Sequence, residues 1–227
     1  MSRFAVALLA ALGLLLVSAV VHAAADALVC PSADGEPTVT TAPRDAGNEP
    51  LFTRPEETVP ANKRTSRGLY LTAQDAYDLL QEDAATVLFI DVRTRAELQF
   101  IGMPTLVDAH VPYLIEADPL QWDEVASSFK LVPNVAFVAG VDRRLTQKGL
   151  GKDARVIVIC QAGLRAARAA NALTQAGYRN VYTVIDGFEG DPVADGPTRG
   201  QRIVNGWRNA NLPWTTRLDR TRMYGLD

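Results

Sequence analysis

The sequence is poor in the side chains that build metal and acid–base centres. Its 227 residues hold two histidines, His22 and His110, and two cysteines, Cys30 and Cys160. No Cys or His cluster has ligand spacing, so no metal site is supported and no cofactor is expected. A Gly-rich dinucleotide loop opening a helix is also missing. The 23 Lys and Arg against 26 Asp and Glu leave a net charge of -3. That balance lacks the cationic surplus of a polyanion binder, and no nucleic-acid partner is expected. Whatever chemistry the chain performs has to rest on very few groups.

What is present begins with Met1–Ala25, which reads as a secretory signal peptide. Arg3 is a sparse n-region, Phe4 to Val21 the apolar stretch, and Ala23-Ala24-Ala25 a small-residue cleavage site. The apolar stretch also has the length at which an uncleaved membrane anchor becomes an alternative. A lipid anchor on Cys30 fits less well, because Ala27-Leu28-Val29 lacks a small residue before the cysteine. Either way the expected location is outside the cytoplasm, in a bacterial periplasm. Residues 26–66 are rich in Pro, Thr, Ala and acidic residues, and read as an irregular linker arm.

The informative stretch is Arg155 to Ala176. Arg155-Val-Ile-Val-Ile-Cys160 is a continuous β-branched run, the pattern of a strand covered on both faces in a parallel sheet. Gln161-Ala162-Gly163-Leu164 turns the chain, and Leu164, Ala167, Ala170 and Leu173 recur at helical spacing up to Gly177. Cys160 therefore stands at a strand's C-terminal end, before a helix N-terminus. Unpaired amides and the positive end of the helix dipole favour a thiolate there. Arg165 offers a permanent charge and a planar fork for an oxyanion, and Gly163 permits a turn that aims several amides at one point. A strand-end cysteine also fits a plainer role, a small buried hydrophobe.

Cys160-Gln-Ala-Gly-Leu-Arg165 resembles the Cys-x-x-Gly-x-Arg active loop of the rhodanese (sulfurtransferase) family. Ile90-Asp91-Val92-Arg93, followed by Glu97 and Gly102, resembles the family's Asp-Val-Arg…Glu…Gly segment, and Asp186-Gly187-Phe188 fits downstream. The resemblance implies a rhodanese-like α/β domain over 67–190, a central parallel sheet flanked by helices on both faces. An insertion at about 114–152 precedes the active-site strand, and a C-terminal tail, 191–227, packs on the domain. It further implies a sulfurtransferase with Cys160 and Arg165 catalytic, Gln161, Ala162, Gly163 and Leu164 binding the persulfide, and Asp91 and Arg93 in support. Sulfur would pass from a small anionic donor such as thiosulfate, or from a persulfide, to a thiol or cyanide-like acceptor.

Two rivals remain at this stage. One is a non-catalytic rhodanese-like module that binds an envelope protein. The other is a cysteine-dependent phosphatase or arsenate reductase, although the related phosphatase loop encloses five residues and this one four. Cys30 is a candidate resolving or disulfide partner for Cys160. His110 is either a packed histidine or a base for Cys160.

Around this centre the remaining expectations are local. Thr72 and Asp75 form a capping signature, with Ala76, Leu79 and Leu80 as the apolar face. Thr86–Ile90 reads as a buried strand. Trp122–Phe129 reads as an amphipathic helix, Leu145–Leu150 as a short second one, and Asn134–Gly140 as a loop or added strand. Trp122 and Phe137 are expected to plug the insertion's core. Trp207 and Trp214 read as an apolar clasp for the tail, or with Arg208 as a docking surface.

Overall fold

A computed structural model describes residues 53–226. The chain runs β1 (Tyr70–Leu71), α1 (Ala73–Asp83), β2 (Val87–Asp91), α2 (Arg95–Ile101), β3 (Met103–Pro104) and β4 (Ala109–His110). Four short strands follow, β5 (Leu114–Glu116), β6 (Trp122–Asp123), β7 (Ser128–Phe129) and β8 (Leu131–Pro133). Then come α3 (Phe137–Gln147), β9 (Arg155–Ile159), α4 (Leu164–Gln175), β10 (Asn180–Val184) and β11 (Trp214–Thr215).

Five strands form one parallel sheet in the order β1-β10-β9-β2-β4. Its middle is apolar on both faces because β2, β9 and β10 are β-branched and aromatic runs whose side chains alternate between two cores. Phe89, Ile157, Ile159, Tyr182 and Val184 pack with α1 and Leu98 of α2 on one face. Leu88, Ile90, Val156, Val158 and Val181 pack with α3 and α4 on the other. Each such side chain contributes roughly 1.5–3 kcal/mol on burial. The fold is thus a parallel α/β layer structure with helices on both faces.

Local signals fix the helix starts. Thr72 and Asp75 close a capping box on α1, and Thr94 and Glu97 close a second on α2. The start of α4 is different. Gly163 occupies its N-cap position at φ 87 and no side chain caps it, so the first-turn amides have no intrahelical acceptor.

The insertion departs from the sequence expectation. Trp122–Phe129 is not a helix but the hairpin β6–β7, with Trp122 opposite Phe129. Apolar residues at 122, 125 and 129 imitate a helical period, but Asp123 Oδ1 accepts from the amides of Val125 and Ala126 and forms a turn instead. Trp122 is 53% exposed, so it plugs no core; Phe137 does, buried edge-on to Tyr113. Asn134–Gly140 is neither loop nor strand alone, since α3 begins at Phe137 and runs into the first half of the expected second helix, ending at Gln147. Asn134 Oδ1 accepts from the Ala136 amide just ahead of that start.

The tail packs on the domain. Trp207 is fully buried, with ring centroids 5.5 Å from Phe89 and 6.0 Å from Tyr77. Its indole N–H donates to the Pro213 carbonyl, and β11 pairs antiparallel with β3. Ahead of β1, two short 3-10 turns bury Val59 and Lys63, and the Lys63 ammonium donates to the Ile185 carbonyl.

Candidate active site

Cys160 directly follows β9, at the C-terminal edge of the sheet where α/β folds gather their chemistry. Two neighbouring segments shape the loop it opens. The Phe188 amide donates to the Cys160 carbonyl at 2.8 Å, and the Glu189 and Gly190 amides donate to the Gln161 carbonyl at 2.9 and 3.2 Å. The Gln161 side-chain amide reaches Glu189 at 3.0 Å. With these carbonyls held by 188–190, the loop's N–H groups are the ones left over. Those of Ala162, Gly163, Leu164 and Arg165 donate to no acceptor among the described residues. The Ala166 N–H donates to Cys160 Sγ at 3.3 Å.

Gly163 and Gly187 make this geometry possible. A Cβ on Gly163 would stand 2.2 Å from the Ile185 carbonyl oxygen, and one on Gly187 2.5 Å from Gln161. Both glycines also have positive φ, 87 and 64. The loop therefore lies close against the turn after β10, and its free amides fall in the same short turn as the sulfur.

Arg165 stands next to this turn with its guanidinium engaged. Nη1 donates to Glu97 Oε2 at 2.7 Å and Nη2 to Oε1 at 2.5 Å. Burial works against the Arg165 charge, but the hydrogen bonds and charge of Glu97, with help from Cys160 and Asp91, raise its pKa above the ordinary value. Burial likewise pushes Glu97 up, and the bonds and charge of Arg165, with the Thr94 bonds, bring the net shift down. Glu97 is a site residue that the sequence reading used only as a family marker. Its signal was the motif position; its partner, 68 residues away, carried none.

Asp91 and Arg93 lie beneath the loop, both with fully buried side chains. Arg93 forks onto Asp91, with Nη2 to Oδ2 at 2.6 Å, and also donates to the Gly102 carbonyl. Its guanidinium stacks 4.1 Å from the Phe188 ring, the residue whose amide holds the Cys160 carbonyl. The Val92 amide donates to Ile159. These two residues thus brace the floor of the loop and touch the sulfur only through others.

His110 is not paired with Cys160. Its Nε2 lies 2.8 Å from the Arg93 carbonyl, and the ring is 1% exposed. Cys160 is itself 1% exposed, and among the described residues it is a free cysteine. Cys30 lies outside the described residues, as do the signal-peptide and anchor readings of the first 25.

Fold and loop together define a class, a parallel α/β domain with a cysteine on a four-residue amide turn at the sheet's C-terminal edge. The chain belongs to the Rhodanese-like domain family, whose model matches residues 72–190. An uncharacterized protein of Rickettsia conorii is 31% identical over 139 residues, which are 61% of this chain and 90% of the relative. Among solved structures, Rv0390 from M. tuberculosis is 28% identical with a TM-score of 0.49, covering 67% of this chain and 100% of that one. The polysulfide-sulfur transferase homodimer of Wolinella succinogenes is 23% identical with a TM-score of 0.39, covering 70% and 85%.

Proposed function

We propose that the chain is an exported sulfurtransferase that carries sulfane sulfur on Cys160. The observation that supports it is a sulfur that accepts the Ala166 N–H, in a loop whose next four amides have no acceptor among the described residues. Free amides in the loop that carries the sulfur stabilise negative charge as it forms there. In the first half-reaction the Cys160 thiolate attacks the outer sulfur of thiosulfate. A new S–S bond forms, the donor's own S–S bond breaks, and sulfite leaves with the electron pair. In the second, a thiolate or cyanide attacks the terminal sulfur of the Cys160 persulfide, and Cys160 departs as thiolate. The two halves give ping-pong kinetics. Arg165 supplies a fixed positive charge at the loop, shared with Glu97.

Export rests on the pattern of the first 25 residues, and a periplasmic location follows from it. With the leader uncleaved, the same domain is membrane-anchored and faces the periplasm.

A second reading has its own support. Cys160 is buried and Glu97 occupies the Arg165 fork, as suits a module that binds without turnover. Intact mass after thiosulfate treatment separates the two. The proposal expects a gain of one sulfur in the wild type and none in Cys160→Ser. Sulfur retained by Cys160→Ser, or never gained by the wild type, removes Cys160 as the carrier.

A further inference from the structure

The hairpin β6–β7 has no partner among the described residues that explains its side chains. Leu120 is 67% exposed, Trp122 53%, Val125 99% and Phe129 57%. None joins either core. The Trp122 and Phe129 rings meet edge to face at 5.8 Å. Two strands of two residues each, with one aromatic pair, are marginal in water without a cover. Contiguous apolar surface of this kind marks an interaction site.

Charge identifies what covers it. The arm built from β5 to β8 carries Glu116, Asp118, Asp123 and Glu124 against a single Lys130. Glu116, Asp118 and Glu124 form no ion pair among the described residues. Close to the arm's base runs the end of the tail, where the Tyr224 hydroxyl donates to Asn134 Oδ1 at 3.3 Å. That stretch is net basic, with Arg217, Arg220 and Arg222 against Asp219, which pairs with Arg222 at 3.4 Å. Arg217 and Arg220 are exposed, their guanidinium groups have no partner among the described residues, and Leu218 and Leu226 of the same stretch are 37% and 53% exposed. An acidic apolar patch and a basic apolar patch thus adjoin on one chain. A two-fold rotation between them lays acid on base twice, the self-complementarity that an isologous contact requires.

We infer that this chain self-associates as a two-fold dimer, the acidic hairpin arm of one copy lying on the Arg217–Leu226 tail of the other. Trp122 and Phe129 form the desolvated centre of the contact, and the ion pairs form its rim. The inference does not depend on Cys160 chemistry.

Sedimentation velocity of the full chain up to about 100 µM tests it, with weakening of association by salt as a second signature. The triple reversal Glu116→Lys, Asp118→Lys, Glu124→Lys is expected to weaken the dimer at least about 10-fold, as is the double reversal Arg217→Glu, Arg220→Glu. Combining all five on one chain should bring the dissociation constant back to within about 3-fold of wild type. Trp122→Ser should dissociate the dimer while its unfolding midpoint, read on the monomer, stays unchanged. A chain that stays monomeric throughout, or a dimer indifferent to these changes, overturns the inference. So does a monomer whose arm binds zwitterionic vesicles in a Trp122-dependent way, since the cover would then be lipid.

Discussion

His110 Nε2 meets a carbonyl, that of Arg93, at 2.8 Å, so this nitrogen carries the proton and donates. Nδ1 is then a bare acceptor, and it has no partner among the described residues. Burial disfavours a second proton, and although the Asp91 charge and the Arg93 carbonyl pull the other way, the net effect lowers the pKa below the ordinary 6.5. The unfolded chain therefore takes up a proton first as pH falls. The stability contributed by His110 is complete above pH 6.5 and declines as pH drops from there through the folded value. His110→Gln keeps an amide to donate to Arg93 and removes the titration. Urea midpoints measured from pH 7.5 down to about 5 should fall for the wild type and be flatter for the variant. Sequence alone left this residue as base or packed histidine. What decides is a carbonyl 17 positions away, and no local pattern reports it.

At the scale of elements, the loop between β9 and α4 was legible and the arm was not. The β-branched run ending at Cys160, the glycine at 163 and the helical spacing from Leu164 are local facts, and each corresponds to a local constraint on the backbone. The Ala166 amide on the sulfur and the Glu97 fork arise only when distant segments meet. In the arm, apolar spacing pointed to helix, and a turn set by Asp123 overrode it. Gly163→Ala meets both a positive φ and the Ile185 carbonyl, whereas Gly177→Ala meets a positive φ of 92 with nothing within 4 Å. Gly177→Ala should cost about 1–2 kcal/mol and leave sulfur loading intact. Gly163→Ala should cost more than its counterpart, beyond about 2 kcal/mol, and abolish loading, because the Cβ is accommodated only by lifting the amides off the sulfur. Urea unfolding and intact mass on the same two proteins check both halves; equal behaviour would show that the close approach to Ile185 is unimportant.

For the molecule as a whole, the family match stops at residue 190, while the physical unit does not. Trp207 completes the core face that contains Phe89, Leu98 and Phe188. Its amide donates to the Gly187 carbonyl and that of Arg208 to Phe188. Asp186 bridges the Ala73 amide at the start of α1 to the Gly206 amide of the tail. The tail thus grips the 186–190 segment whose own amides hold the carbonyls of Cys160 and Gln161. The pair Trp207 and Trp214 stood out in the sequence as a clasp, but their unequal shares depend on which one joins the core of distant segments, and that is Trp207. Trp214 is 42% exposed and meets Phe188 only by an edge contact. Trp207→Ala should therefore cost about 3–5 kcal/mol, and Trp214→Ala clearly less. Because the tail holds the segment under the loop, Trp207→Ala should also slow sulfur loading under conditions where the protein remains folded, and a chain cut after Gly190 should show no cooperative urea transition. Cooperative unfolding of that shortened chain at the wild-type midpoint would mean that the domain ends where the family match does.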